Sequence, residues 1–244
     1  MNICYDNSFW DEFEILMFDL DRLESTESDS KSIIDLLSIK KGESLIDVCC
    51  GFGRYSEAFA DNGITVTGLD ITKNYIDRAI KNRKNSKNPT YIEQDLLKFT
   101  TENKFDYAVN LYTSFGLLES EDDEIVGLKN IYDSLKSGGK YLIDTQGKEL
   151  MCRDFEKNIW FESGGVKVLL EYSVINCFTT LHSRWLYYKD DKMHEHSFDT
   201  RIYTALELAT LLDGVGFSKV EFYGDFSGAP YDMDAKRLIA VATK

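Results

Sequence analysis

Two hydrophobic periods alternate through the middle of the chain. From Ser44 to Gln146, short apolar runs are separated by stretches whose apolar residues recur every three or four positions. SLIDVCC (44–50) predicts a strand, and the helix after it carries Tyr55, Ala58 and Phe59 on one face and stops at Asn62-Gly63. ITVTGLD (64–70) is the next strand, followed by a helix over Lys73–Lys84 that buries Ile76, Ala79 and Ile80. TYIEQD (90–95) and FDYAVNLY (105–112) predict two more strands. A helix from Asp122 to Leu135 opens on acids that suit the positive end of its dipole, and SGG (137–139) turns into the strand KYLIDTQ (140–146). Strands separated by helices with short connections give an open α/β sheet with right-handed crossovers.

The flanks follow other patterns. Phe9, Phe13, Leu16 and Leu20 recur at helical spacing with Trp10 beside them. The polar stretch STESDS (25–30) then separates this helix from a second one carrying Ile33, Ile34, Leu36 and Leu37, closed by KKG (40–42). After Gln146 the period shortens towards two, with breaks at Gly164-Gly165 and Asp190-Asp191, which predicts an antiparallel insertion of three or four strands. TALE (204–207) is a capping box opening a helix with Leu208, Leu211 and Leu212, and FSKVEFYGDF and KRLIAVATK supply two last strands. At 244 residues this reads as one domain: N-terminal helices at 1–40, a core at 41–146, the insertion at 147–203, and a final helix and strands at 204–244.

Composition narrows the partners. A net charge of −14 repels nucleic acid and anionic membrane, and the one basic cluster, IKNRKNSK (80–87), reads as a solvated helix end. The five cysteines (4, 49, 50, 152 and 177) form no CxxC, and with three scattered histidines they do not suggest a metal site. The chain has no apolar run of membrane-spanning length and no N-terminal signal pattern. A reduced, cytoplasmic protein, monomeric or homodimeric, is the expectation.

Chemistry concentrates at Gly51-Phe52-Gly53. Glycines where a strand turns into a helix allow positive φ and close backbone approach to a ligand, and Asp70, 17 residues beyond Gly53, ends the next strand where it can accept hydrogen bonds from a ribose diol. Nicotinamide dinucleotides and S-adenosylmethionine share that much. The third glycine of a dinucleotide fingerprint is absent, since Ser56 stands in its place, and no Walker Gly-Lys-Ser/Thr occurs. By itself the loop is also compatible with a plain strand-to-helix turn.

It does not stand by itself. Asp47-x-Cys-x-Gly-x-Gly, Leu69-Asp70, Gln94-Asp95-Leu96, Phe105-Asp106 with Asn110, and Leu135-Lys136-Ser137-Gly138-Gly139 follow one another in order. This succession resembles the class I S-adenosylmethionine-dependent methyltransferases over roughly residues 40–145. NLYTSFGLL (110–118), the Arg184-Trp185 strand and the segment from Tyr223 to Tyr231 resemble a bacterial group of small methyltransferases that includes the linaridin (cypemycin-type) N-terminal α-N-methyltransferases. The resemblance implies an α/β fold of Rossmann-like, doubly wound type, its sheet mainly parallel with an antiparallel last strand, plus the antiparallel β insertion over the acceptor site and the N-terminal helices as a lid. It implies S-adenosyl-L-methionine as cofactor and S-adenosyl-L-homocysteine as its product. Asp47 would organise the loop, and Cys49, Gly51 and Gly53 would line the methionine end, with Arg54 towards its carboxylate. Asp70 would bind the ribose, Ile71 and Leu96 would pack on the adenine, Asp95 would reach its amino group, and Asn110 and Leu111 would close the methionine end. Cys50 and Ser137 depart from the usual residues of the pattern.

For the acceptor side, Tyr112, His182 and Arg184 are the candidate catalytic residues, and Trp10, Thr113, Phe115, Arg201, Tyr203 and Tyr231 the candidate substrate contacts. Phe9 and Tyr223 are further lid aromatics, while His194 and His196 read as exposed edge residues of a hairpin. The expected acceptor is a small molecule or short peptide, with N-methylation ahead of O-methylation. The alternatives are O-methylation of a small metabolite, a non-catalytic S-adenosylmethionine-binding module, and a nucleic-acid methyltransferase. The charge and the missing NPPY-type motif oppose the last of these, because Asn110 is followed by Leu-Tyr-Thr.

Overall fold

The computed structural model describes residues 3–17, 20–163, 165–189 and 191–244. Its centre is a seven-stranded sheet, in chain order β1 (Ser44–Val48), β2 (Thr65–Asp70), β3 (Thr90–Glu93), β4 (Phe105–Asn110), β5 (Leu135–Thr145), β10 (Lys219–Tyr223) and β11 (Leu238–Thr243). The spatial order is β10-β11-β5-β4-β1-β2-β3. Strands β1 to β5 pair parallel, whereas β11 runs antiparallel to both β5 and β10. The chain order reverses at β1, which stands between β2 and β4; in open α/β sheets a ligand crevice opens beyond the strand ends at such a point.

Alternate residues of the central strands supply two cores. Ala108, Tyr141, Ile143, Leu238 and Ala240 face the helices α6 (Glu121–Ser134) and α8 (Ala205–Val215), packing with Leu128, Ile131, Leu208, Leu212 and Phe217. Val109, Leu142, Ile239 and Val241 face the other way, onto α3 (Leu20–Leu37) and α4 (Arg54–Asp61), with Ile33, Leu37, Tyr55 and Phe59. This near-continuous apolar content is what a sheet covered on both faces requires. Helices α6 and α8 start with complete capping boxes, Ser120 with Asp123 and Thr204 with Glu207. The remaining helix of the core, α5 (Lys73–Asn82), follows β2.

A second sheet, β6 (Asn158–Ser163), β7 (Val166–Ile175), β8 (Thr180–Lys189) and β9 (Lys192–Arg201), is an antiparallel meander in sequence order. It is reached from β5 through the short helix α7 (Lys148–Arg153). The turn between β8 and β9 carries Asp191 at φ +58°, and Gly165 before β7 has φ +79°; Gly164 and Asp190 lie outside the described residues. The N-terminal helices α1 (Asn7–Glu12) and α2 (Glu14–Met17) pack on this sheet, burying Phe9, Phe13 and Leu16 against Val166, Val168 and Tyr187.

Four details differ from the sequence expectation, the first being Ile80 on α5, which is exposed rather than buried. STESDS is not a linker: it lies inside α3, whose Thr26 and Ser30 are buried. Its polar residues suggested a break, but one face of that helix meets α4, where Thr26 and Asp29 accept hydrogen bonds from Arg54 and Tyr55. The first amphipathic segment is two short helices broken at Phe13, and the side chain of Leu20 lies outside the described residues. Strand β5 begins at Leu135, so SGG belongs to it; Gly138 N–H donates to Lys244 O and Lys244 N–H to Gly139 O, both at 2.9 Å, tying this strand to the chain end.

Candidate functional site

A cavity of about 360 Å³ opens where the C-terminal ends of β1, β2 and β4 meet the inner face of β7, β8 and β9, with residues 3–17 across it. That volume falls within the roughly 300–1,000 Å³ usual for small-molecule sites.

The large sheet contributes strand ends. After β1 the chain turns through Cys49 (φ +58°) and Gly51 (φ +56°), so that Gly51 N–H donates to Asp70 Oδ2 at 2.8 Å. Thr72 N–H donates to Asp70 Oδ1, also at 2.8 Å. Burial pushes the Asp70 carboxyl up, and hydrogen bonds from the backbone of Thr72, Gly51 and Ile71 and from the Thr72 side chain pull it back. Asp47 lies deeper: burial pushes its carboxyl up to about 7 against the Ser56 hydroxyl, which donates at 2.6 Å. Asp95 accepts from Leu97 N–H at 2.9 Å and lies 3.5 Å from the Tyr5 hydroxyl, which burial and that carboxylate push up to about 12. Asn110, at the end of β4, gives its amide N–H to Cys49 Sγ at 3.8 Å, while its Oδ1 is buried with no partner among the described residues.

Beyond β4 the backbone is strained. Tyr112 (φ +57°) and Thr113 (φ +63°) are consecutive left-handed residues, an arrangement of order 1–3 kcal/mol each for side chains with a Cβ. Asp144, fully buried at the end of β5, holds them: its Oδ2 accepts from Tyr112 N–H at 2.8 Å and its carbonyl from Thr113 N–H at 3.0 Å. Two guanidinium groups flank the Tyr112 ring, Arg54 at 4.3 Å and Arg237 at 5.0 Å from its centroid. Arg54 also donates to Thr26, and Arg237 to Asp144 and to the Thr113 hydroxyl.

The small sheet contributes a face. Register places Tyr172, Ser183 and Phe198 in one cross-strand row and Leu181 beside Thr200 in the next, all on the cavity wall, with Trp185 on the same side. The indole N–H of Trp185 is buried without a partner among the described residues. Residues 3–17 close the space with Ile3, Cys4, Tyr5, Trp10 and Met17. This segment is tied at both sides: the Tyr75 hydroxyl on α5 donates to Trp10 O at 2.7 Å, and the Tyr187 hydroxyl on β8 donates to Glu12 O at 2.8 Å. Glu124 of α6 reaches the wall with its carboxyl pushed up to about 7 by burial, accepting from Gly116 and Leu118 N–H at 3.0 Å each.

The cavity gathers Asp47, Cys49, Gly51, Arg54, Asp70, Ile71, Asp95, Leu96, Asn110 and Leu111, together with Tyr112, Trp10, Thr113 and Phe115. Other expected site residues lie elsewhere. Gly53 is not on the wall; at φ +82° it caps α4, and a Cβ there would meet the Tyr91 hydroxyl at 2.3 Å. His182 and Arg184 point away from the cavity, because side chains alternate along β8 and Leu181, Ser183 and Trp185 take the inner face. On the outer face, His182 pairs with Asp199 at 2.6 Å, and Arg184 pairs with Glu171 at 2.6 Å and Glu195 at 2.7 Å. Arg201 reaches the carbonyls of Leu118 and Glu119, Tyr203 packs at a tilt against Phe115 in the core, and the Tyr231 hydroxyl donates to Glu149 at 3.0 Å. Phe9 is a core residue between α1 and the small sheet, and Tyr223 packs against the core on the α3 side. His194 and His196 are not open edge residues: they face α1 and α2, His194 bonded to Glu12 and His196 at 3.8 Å from Asp6.

Sequence reasoning missed Ser183, Trp185, Phe198, Thr200, Tyr172 and Arg237. For β8 a signal existed, since Leu181, Trp185 and Tyr187 alternate with His182, Arg184 and Tyr188. Nothing in the local sequence joins Arg237 to Asp144. Among the described residues no group of three His, Cys, Asp or Glu side chains could hold a metal ion, and no helix is long and apolar enough to cross a membrane.

Residues 45–139 match the family model described as a methyltransferase domain. A Bacillus subtilis (strain 168) protein named as a methyltransferase, YqeM, is 24% identical over 220 residues, covering 85% of this chain and 86% of its own length. The cypemycin N-terminal methyltransferase of a Streptomyces species is 28% identical over 142 residues, and the match spans 57% of each chain. Among solved structures, the CcbJ methyltransferase of Streptomyces caelestis superposes with a TM-score of 0.78 at 15% identity, over 89% of this chain and 94% of that one.

Proposed function

We propose that this chain, which belongs to the class I S-adenosylmethionine-dependent methyltransferases, methylates a nitrogen of a small-molecule or short-peptide acceptor held against the inner face of β7 to β9. S-adenosylmethionine supplies an electrophilic methyl group on a positively charged sulfur. The residues present fit it. Asp70, on the cavity wall at the end of β2, would take the ribose hydroxyls, and Ile71 and Leu96 would flank the adenine, with Asp95 at its amino group. Cys49, Gly51 and Leu111 would line the methionine end, where the buried, unpartnered Oδ1 of Asn110 would accept from its ammonium. Asp47 would support the loop from below through Ser56, and Arg54 stands at the same end. Gly53 would shape the turn without touching the ligand.

The observation that carries the preference for nitrogen is the make-up of the acceptor side. Its wall is Trp10, Phe115, Tyr172, Trp185 and Phe198, with the hydroxyls of Thr113, Ser183 and Thr200. No histidine lies on the wall among the described residues, and Asp47, Asp70, Asp95 and Glu124 are each engaged by N–H or O–H donors. A hydroxyl acceptor needs a positioned base, whereas an amine can lose its proton to water before attack. The aromatic wall would attract a cationic amine through ring faces and exclude water around the reacting atoms. The chain's part in the rate is then alignment of two bound groups. The similarity to the cypemycin N-terminal methyltransferase supports the same reading.

The test is incubation with S-adenosylmethionine and matched panels of amines, free-amino peptides and hydroxylated metabolites, followed by mass spectrometry. A gain of one methyl group on amines is expected. Methylation of hydroxyls alone would overturn the nitrogen preference, and cofactor binding with no product from any panel would favour the non-catalytic reading.

A further inference from the structure

We propose that Arg237 forms a carboxylate-binding subsite on the acceptor side of the cavity, so that the acceptor carries an amine and a carboxylate in one small molecule, as an amino acid does. This rests on the methyl-transfer reading above and specifies its substrate class.

Tyr112 follows β4, Arg54 opens the helix after β1, and Arg237 immediately precedes β11, which pairs with β5. In the order β11-β5-β4-β1, Arg237 reaches the Tyr112 ring from the start of β11 and Arg54 reaches it from the helix after β1, at 5.0 and 4.3 Å from its centroid. Arg54 stands on the side of the strand-end cradle formed by Cys49, Gly51 and Asp70. Arg237 stands on the β5 side, beside Thr113 and near Thr145 and Gln146 of the acceptor wall.

The guanidinium of Arg237 is oriented but not saturated. Its Nε donates to Asp144 and its Nη2 to the Thr113 hydroxyl at 3.3 Å, while Nη1 has no acceptor among the described residues. Asp144 is in turn fixed by Tyr112 N–H, so the fork cannot swing without disturbing the strained pair Tyr112-Thr113. A guanidinium locked by its Nε and lining a largely apolar cavity suits one planar, singly charged anion. A dianion fits poorly, because Asp144 already neutralises part of the charge. In a chain of net charge −14, a guanidinium with open donors on a cavity wall needs a reason beyond general surface attraction.

The test uses ligand pairs that differ only in the carboxylate: L-phenylalanine against phenethylamine, and L-leucine against isoamylamine. Each is titrated calorimetrically into protein saturated with S-adenosylhomocysteine. At least one acid is expected to bind about tenfold or more tightly than its amine, the size of a charge-assisted hydrogen bond. Arg237→Gln should erase that preference and Arg237→Lys should keep part of it, with S-adenosylhomocysteine affinity unchanged in both. The wild-type comparison needs no variant, so a Gln variant that fails to fold, with Asp144 left unpaired, does not void the test. Binding of none of the four, an equal or tighter amine, or a preference surviving Arg237→Gln would overturn the proposal. So would a variant that loses affinity for S-adenosylhomocysteine while binding methylthioadenosine normally, since that assigns Arg237 to the methionine carboxylate. Failure of wild-type protein to bind S-adenosylhomocysteine at all would count against the cofactor reading instead.

Discussion

The two sheets meet across one cavity and contribute to it in different ways. The large sheet offers the ends of β1, β2 and β4, where backbone N–H groups, a left-handed turn at Cys49 and Gly51, and the Asp70 carboxylate are held by bonds of 2.8 Å to main-chain atoms. The small sheet offers a face, on which Tyr172, Leu181, Ser183, Trp185, Phe198 and Thr200 are set by strand parity. At a strand end the backbone itself is part of the site, so few residue types serve. On a face, any side chain of suitable volume and polarity fits the same backbone, so a new acceptor can be accommodated by substitution without disturbing the other half. The difference predicts separable functions: changes at the strand ends should act on cofactor affinity, and changes on the face should act on acceptor turnover.

The sharpest way to break this comparison is to exchange inner for outer positions on β8. Trp185→Ala should lower acceptor kcat/KM by about tenfold to a hundredfold, the range for an aromatic anchor in a desolvated pocket. Circular dichroism and melting checks on the same protein would separate that loss from unfolding. Next comes Gly53→Ala, which places a side chain at φ +82° and against Tyr91. A loss of about 1–2 kcal/mol in folding stability is expected from denaturant titration, and a variant as stable as wild type would mean the turn can relax.

Asp47 gives a pH-dependent version. Its folded value, about 7, lies above the ordinary 3.8, so the native state holds the proton more tightly than the unfolded chain does. The contribution is therefore fully present below the ordinary value, shrinks as pH rises towards about 7, and is absent above it. Relative to wild type, Asp47→Asn should gain stability between about pH 4 and pH 7 and then level off. A wild-type-to-variant difference that stays constant across that window would contradict the buried proton. The smallest effects belong to the outer face: Arg184→Ala and His182→Ala should leave kcat/KM within about twofold, because both side chains pair on the surface away from the cavity.

Most of the large sheet is legible in the sequence for a physical reason. A strand buried on both faces must be an apolar run, and its crossover helices must show a period near four, so SLIDV, TVTGLD and YLIDT declare themselves. The cradle is legible too, since positive φ suits Gly51 and the acid that ends β2, Asp70, accepts from the Gly51 N–H of the same turn. The acceptor face is less so. His182 and Arg184 drew attention because they carry chemistry, yet strand parity turns them outward, and a one-residue shift in reading exchanges the whole set. Trp185 was in view as part of a motif but not as a wall residue. Arg237 is beyond local reading altogether, because its partners Thr113 and Asp144 lie more than ninety positions away and meet it only through the order β11-β5-β4. STESDS failed for the opposite reason: its polar residues suggest a linker, and only the packing of α3 on α4 makes it a helix.

Titration of S-adenosylhomocysteine into wild type, Asp70→Ala and Trp185→Ala tests the division of labour most directly. Removing the carboxylate should weaken binding by about a hundredfold, the equivalent of two hydrogen bonds to a charged group, while removing the indole should change it by less than about twofold. Wild-type affinity in Asp70→Ala, or equal weakening by both substitutions, would contradict the account.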